Sequence, residues 1–248
     1  MQKILGYMRK AIDDYGMIEE GDKIAVALSG GKDSISMLMG FKNLQRFYPK
    51  KFDIVAVSIH PGFEFFNSEL LQDTCDKIGV PYIEEPSHAK EIVFDIRKEK
   101  NPCSLCANLR RGILNSVAVR ENCNKIALGH NEDDVLETFF LNLLYAGSIA
   151  TFAPISYMDR SKITLIRPLI YAPEKEIRNF VKRNDIKVMP KACPMDGVSK
   201  REDMKNLIYQ FQKEIPTVRA NVYGAIKRAH IKGWDKLEEN YTEKDKED

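Results

Sequence analysis

Six consecutive residues, Ser29-Gly30-Gly31-Lys32-Asp33-Ser34, combine what a protein needs to hold a phosphate group. They follow an apolar run at 24–28 and precede a helical pattern, so they stand where a strand hands over to a helix. Two glycines let the backbone turn tightly and bring its N–H groups close to an anion. The helix that follows turns its positive end toward the same spot. Ser29 and Ser34 add hydroxyl donors, and Lys32 adds a point charge. Two commoner nucleotide loops are excluded: a Walker loop needs serine or threonine after its lysine, where this chain has Asp33, and the pattern Gly-x-Gly-x-x-Gly is absent.

A second chemical group is formed by cysteines. Pro102-Cys103-Ser104-Leu105-Cys106 opens a long helical pattern. Thiolates at this spacing can share one metal centre, and a helix N-terminus lowers the thiol pKa toward the binding form. Alone, the pair is compatible with half a zinc site or a redox dithiol, and no second Cys-x-x-Cys completes a zinc site. Cys193 lies in the proline-flanked stretch Pro190-Lys191-Ala192-Cys193-Pro194, where a rigid thiol can complete a trio. Three thiolates suit an iron–sulfur cluster with one iron lacking a protein ligand. Cys75 and Cys123 fall in helical or helix-end contexts and read as small buried hydrophobes. An odd total of five cysteines speaks against a disulfide framework.

The elements that must position these groups follow from periodicity. Strand-like runs at 23–28, 54–59, 82–83 and 125–128 alternate with helical patterns at 33–47, 67–78, 90–96 (weaker), 105–121 and 133–145. Such alternation implies right-handed crossovers and a parallel sheet covered on both faces. Ligands then bind outside the carboxyl ends of the strands, where Ser29, His60 and Gly129 fall. After residue 151 come two strands, 154–158 and 163–166, joined by a polar turn, and then helices at 173–183, 199–213 and 217–231. The expected fold class is α/β, a Rossmann-like parallel sheet with helices on both faces. Residues 1–190 form the core, and 191–248 a small C-terminal helical extension that carries the third cysteine and a charged tail.

Bulk properties set limits. The chain has 248 residues, 44% hydrophobic and 30% charged, enough for one α/β domain with a modest appendage. A net charge of +2 is too mild to argue nucleic-acid binding by itself. No run of eighteen apolar residues occurs, and the amphipathic start at 1–15 lacks the apolar centre of a signal peptide, so a cytoplasmic location away from membranes is expected.

The phosphate loop resembles that of the PP-loop ATP pyrophosphatases, of the PP-loop/HUP type. Further motifs follow in order: the Pro102–Cys106 stretch with Leu109-Arg110-Arg111-Gly112, then Leu128-Gly129-His130-Asn131-Glu132-Asp133-Asp134-Val135-Leu136-Glu137-Thr138, then Ile166-Arg167-Pro168-Leu169. Together, over about residues 20–195, they are similar to the tRNA 2-thiolation branch of that family, most of all its TtcA-like 2-thiocytidine enzymes. The resemblance implies adenylation of the C2 carbonyl oxygen of a tRNA pyrimidine, cytidine 32 first among candidates, and its replacement by sulfur with release of AMP and pyrophosphate. Asp196 stands where such enzymes often carry another cysteine.

By the same resemblance, Cys103, Cys106 and Cys193 hold a [4Fe–4S] cluster, and Ser29, Gly30, Gly31, Lys32, Asp33 and Ser34 hold the phosphates of ATP with Mg²⁺. Gly129 and His130 line the nucleotide site, Asp133 or Asp134 serves Mg²⁺ or acid–base chemistry, and Arg110 stands beside the reacting groups. His60, at a strand end, fits either adenosine contact or a structural role. Arg97, Lys98, Lys100, Arg111, Lys200, Arg201 and Lys205 are candidates for RNA contact or ordinary surface charges. The implied partners are tRNA and a sulfur donor (a cysteine desulfurase, a carrier protein or free sulfide), in a homodimer. A 2-thiouridine enzyme on the same scaffold, or a nucleotide-binding module with structural zinc, remains open at this point.

Overall fold

Along the central strands, alternate residues turn to opposite faces, as a pleated strand requires. A computed structural model describes residues 1–63, 66–96, 102–190 and 200–237, with backbone alone at 94–95 and 102–104. Its six strands are β1 (Asp22–Ala27), β2 (Phe52–His60), β3 (Tyr82–Pro86), β4 (Lys125–Ala127), β5 (Ile155–Met158) and β6 (Ile163–Ile166). The helices are α1 (Gln2–Tyr15), α2 (Lys32–Leu44), α3 (Ser68–Ile78), α4 (Pro102–Arg120), α5 (Glu132–Tyr145), α6 (Glu174–Arg183), α7 (Lys200–Glu214) and α8 (Val218–Arg228). The sheet order is β3-β2-β1-β4-β6-β5, parallel except for the edge hairpin of β5 with β6.

Two apolar layers sandwich this sheet. On one face Ile24, Val26, Ile54, Ala56, Ala127 and Ile166 meet side chains of α1, α2, α3 and α6. On the other, Ala25, Val55, Val57, Ile126 and Leu165 meet Leu114, Val117 and Ala118 of α4. Both faces being covered, these strands read as continuous apolar runs rather than strict alternation. The expected α/β class is therefore the observed one. The weak helical pattern at 90–96 is instead a π-helical turn, Glu91–Ile96. Cys75 and Cys123 are buried, and burial pushes the Cys75 thiol up to about 12, so both behave as small hydrophobes.

At the amino edge of the sheet, away from the loop at Ser29, buried Lys125 pairs with buried Asp22 at 2.8 Å. The second Asp22 oxygen accepts from Asn124 at 2.7 Å. Among the described residues, no helix is long and apolar enough to cross a membrane.

Candidate active site

The phosphate loop runs from the end of β1 into α2, and Gly31 is the N-cap residue of that helix. No side chain caps α2, so its first turn presents backbone N–H groups to the space above β1. The Ser34 hydroxyl donates to the Gly31 carbonyl at 3.0 Å and accepts from the Ser29 N–H at 3.2 Å, bracing the turn from within. Gly30 has φ +79°, and a Cβ there would meet the Met189 sulfur at 2.3 Å. The Met189 N–H also donates to the Gly30 carbonyl at 2.8 Å, so the stretch after α6 lies directly on the loop. Gly129, at the end of β4, comes so near the start of α2 that a Cβ would lie 3.3 Å from the Ser34 nitrogen.

Beside the loop, a cavity of about 240 Å³ opens between the carboxyl edge of the sheet and α4. Leu28, Val57, Ile59, Leu114 and Leu165 supply apolar walls, and Ser29, Arg110, Arg111 and His130 supply the polar ones. The mix suits a flat heteroaromatic base with a charged tail. Arg110 and Arg111 have no carboxylate partner among the described residues, leaving both cations for an anion. Cys106 is on α4 one residue before the wall residue Ala107 and one turn before Arg110, and is partly exposed. His60 is not among the described wall residues; its Nδ1 accepts from the Gly62 N–H at 3.1 Å and its ring packs on Phe66. The Cys103 side chain and all of Cys193 lie outside the described residues, and among those described no group of three His, Cys, Asp or Glu donors converges on a metal position.

His130 forms the cavity's inner wall against Phe152, at 4.9 Å between ring centroids. Burial, then the charges of Arg167, Arg201 and Arg111, push its pKa down to about 3, so it is a neutral imidazole. Its Nδ1 is buried without a partner. Behind it, buried Arg167 stacks 5.2 Å from the Phe152 centroid and donates to the Ala153 carbonyl at 2.6 Å. Burial, then Arg111, lowers its pKa to about 10, and its Nε lacks an acceptor. The orphaned His130 Nδ1 makes this part of the cavity wall polar and unsatisfied, as a ligand-binding wall should be.

The acidic motif after Gly129 is held from several sides. Asn131 caps α5, its Oδ1 accepting from the N–H groups of Asp133 and Asp134, and its Nδ2 donates to Asp33 at 3.1 Å. Asp134 closes the capping box by accepting from the Asn131 N–H at 2.9 Å, and Arg201 of α7 pairs with it at 3.5 Å. Asp133 accepts from the Glu174 N–H at 2.7 Å and pairs with Arg219 of α8. Lys32 pairs with Asp33 at 2.8 Å and Glu174 at 3.1 Å, while Lys205 of α7 holds the other Glu174 oxygen at 3.0 Å. Burial works against the Glu174 charge, but Lys205 and Lys32 outweigh it and bring the pKa down to about 2. Burial opposes the charge on Lys32 too, and Asp33 and Glu174 raise its pKa regardless. Thus Ser29–Ser34, Gly129, His130, Asp133 and Asp134 converge, with Arg110 across the cavity.

Similarity to known proteins agrees with this arrangement. A family model described as PP-loop domain matches residues 3–208. The tRNA-cytidine(32) 2-sulfurtransferase of Geotalea uraniireducens (strain Rf4) is 38% identical over 227 residues, 90% of this chain and 90% of its own. That of Syntrophotalea carbinolica is 37% identical over 228 residues, 91% of this chain and 88% of its own. The chain belongs to the PP-loop tRNA-cytidine(32) 2-sulfurtransferase family. Among solved structures, the U34-tRNA thiolase NcsA from Methanococcus maripaludis with its [4Fe-4S] cluster shares the fold: TM-score 0.75, 24% identity, covering 94% of this chain and 80% of that one.

Within this 2-sulfurtransferase site, sequence reasoning left Glu174, Arg219 and Asn131 without roles. Glu174 carries no motif signal beyond its place at a helix start. Arg167 did have one: an arginine immediately after a strand, at the ligand edge of the sheet, stands inside the Ile166–Leu169 motif.

Proposed function

We propose that this chain is an ATP-dependent tRNA 2-sulfurtransferase that thiolates C2 of cytidine 32. The observation that carries the proposal is that the phosphate loop and the Cys106-bearing helix α4 flank one cavity. Nucleotide phosphates would sit on the first-turn N–H groups of α2, Lys32 and the Ser29 hydroxyl, with the base against Leu28, Val57 and Ile59. Arg110 and Arg111 would face the substrate oxygen as it takes up AMP. Charge developing on the departing pyrophosphate is then met by preorganised donors, which is where such groups contribute most to rate. Neutral His130 would hold a ligand atom by hydrogen bonding rather than move a proton. Mg²⁺ would be held by Asp33, with Asp133 and Asp134 supporting the loop.

The proposed donor set for a [4Fe–4S] cluster is all sulfur, which suits iron–sulfur ligation, and the described member, Cys106, lies on α4 next in sequence to the wall residue Ala107. Held by Cys103, Cys106 and Cys193, the bound cluster would supply an iron without a protein ligand, open to sulfur. In the sequence Cys193 follows four residues after Met189, the residue that lies on Gly30. The reading includes a cytoplasmic homodimer served by a cysteine desulfurase, a carrier protein or sulfide as donor.

The test is mass spectrometry of tRNA from a deletion strain, complemented with wild type, Cys193→Ala or Lys32→Ala. Wild type should restore 2-thiocytidine, and neither variant should. Anaerobically purified Cys193→Ala should lose the brown colour while retaining ATP binding. Thiolation by that variant, or a colourless wild type with stoichiometric zinc, would overturn the proposal.

A further inference from the structure

A second cavity, of about 220 Å³, lies between the end of α1 and the end of α8, walled by Tyr15, Gly224, Lys227, Arg228, Trp234 and Lys236. Three of these six are cations, and Lys10 brings a fourth close by. The Lys10 and Lys227 ammonium groups lie 5.9 and 4.9 Å from the centroid of one ring, Tyr171. Against them stands Asp14, which pairs with Lys10 at 3.4 Å and Lys236 at 3.3 Å and accepts from the Tyr171 hydroxyl at 2.8 Å. The other acid in the field of Lys227 is Glu132, which burial and Asp133 push up to about 7. Neither Lys227 nor Arg228 has a carboxylate partner among the described residues.

Two further observations favour an anion as the ligand of this cavity. Trp234 is 1% exposed, and its indole N–H has no acceptor, although buried donors are ordinarily satisfied. Burial, followed by Lys236 and Lys10, lowers the pKa of Lys227, so this end of α8 carries more positive charge than its own acids balance. Arg228 is exposed, which places a forked donor at the surface by the cavity. The other end of α8 is anchored in the active site through Arg219 and Asp133. Eight residues of helix separate Arg219 from Lys227, about 12 Å at 1.5 Å per residue. An RNA strand covers that distance in a few nucleotides.

We propose that this cavity seats a backbone phosphate of the tRNA substrate, a few nucleotides from the base under modification. The proposal rests on the tRNA reading above, and its test separates the two. Trp234 is the only tryptophan in the chain, so its emission reports on this cavity. In the full-length protein, tRNA should shift that emission in step with binding. Lys227→Ala/Arg228→Ala should raise the Kd and KM for tRNA about tenfold near physiological salt, with kcat and the KM for ATP unchanged. The slope of log K against log salt should fall by about one to two, the signature of lost phosphate contacts. The charge-conserving Lys227→Arg/Arg228→Lys protein should keep the wild-type salt slope and recover most of the tRNA affinity, and so control for folding. An unchanged tRNA Kd and salt slope in the alanine protein overturns the seat. So does emission that responds to inorganic phosphate while the tRNA Kd is unaltered, which would make it a small-anion site. A shifted tRNA Kd in protein that thiolates nothing supports the seat and counts only against the sulfurtransferase reading.

Discussion

Gly30 and Met189 lock the phosphate loop to the stretch that leads to Cys193, and a double-mutant cycle measures the lock. In Gly30→Ala, the new methyl would lie 2.3 Å from the Met189 sulfur and 2.6 Å from its Cγ, far inside the roughly 3.5–4.0 Å of normal contact. A left-handed backbone costs alanine about 1–2 kcal/mol. Overpacking adds about 1–3 kcal/mol, because Met189 is buried and its N–H is fixed on the Gly30 carbonyl. Gly30→Ala should therefore cost about 2–5 kcal/mol, and Met189→Ala alone a similar amount from its cavity. In the double variant the overpacking vanishes and the alanine methyl fills part of the vacated space. It should be more stable than the summed singles by about 1–3 kcal/mol, read by urea unfolding, with ATP affinity recovering in parallel. Additivity to within about 0.5 kcal/mol would show that the two residues do not share space and would refute the lock.

Three further outcomes follow from buried charge. Glu137, pushed up to about 7 from an ordinary 4.5 by burial and then by Asp134, stabilises the fold fully below pH 4.5 and loses that contribution as pH rises through 7. Glu137→Gln should thus gain on wild type by up to about 3 kcal/mol near pH 8.5 relative to pH 5; a pH-independent difference in urea unfolding contradicts this. Glu174 has the opposite sign. Its folded pKa near 2 means that its contribution is present above 4.5 and lost as pH falls toward 2. The stability advantage of wild type over Glu174→Gln should shrink by about 1–3 kcal/mol across that acid window, and a constant gap would be evidence against the Lys32–Glu174–Lys205 chain. Asp22→Ala removes the buried partner of Lys125 but leaves it Glu19 at 3.3 Å and the Met17 carbonyl at 3.2 Å, so it should cost about 1–3 kcal/mol while ATP affinity stays at the wild-type value, since the pair lies at the far edge of the sheet. No measurable loss would mean that Glu19 and the Met17 carbonyl satisfy Lys125 by themselves.

What could be read from the chain divides along sequence distance. The strands and the loop announce themselves locally: 24–28 is apolar because both its faces are covered, and Ser29–Ser34 turns because Gly30 can hold φ +79°. The hairpin of β5 and β6 follows from a polar turn between two short runs. The π-helical turn at Glu91–Ile96 was not distinguishable, because a weak apolar period does not separate one helical hydrogen-bond ladder from another. The partners of the acidic motif were hidden for a different reason. Glu174 donates to Asp133 across 41 residues and Arg219 pairs with it across 86, and no local pattern encodes which distant cation meets which acid. The amphipathic start at 1–15 showed that it had a face to bury, but not that Tyr15 and Asp14 would meet Tyr171.

Those distant pairings change how the end of the chain should be understood. Around Lys32 the fold gathers Asp33, Asp133, Asp134 and Glu174, a concentration of negative charge that by itself would repel a nucleotide triphosphate. Arg201, Lys205 and Arg219 reach three of these acids from α7 and α8, leaving Asp33 as the carboxylate paired with the loop lysine alone. Helices α7 and α8 thereby supply the counter-charge that lets a carboxylate-rich loop receive phosphate. Because Glu174 holds both Lys205 and Lys32, displacement of α7 would also change how firmly Lys32 is held. The stretch carrying Cys193 runs between Met189, fixed on Gly30, and Arg201, fixed on Asp134. Both of the described residues that flank this stretch therefore contact the phosphate site, Met189 through Gly30 and Arg201 through Asp134.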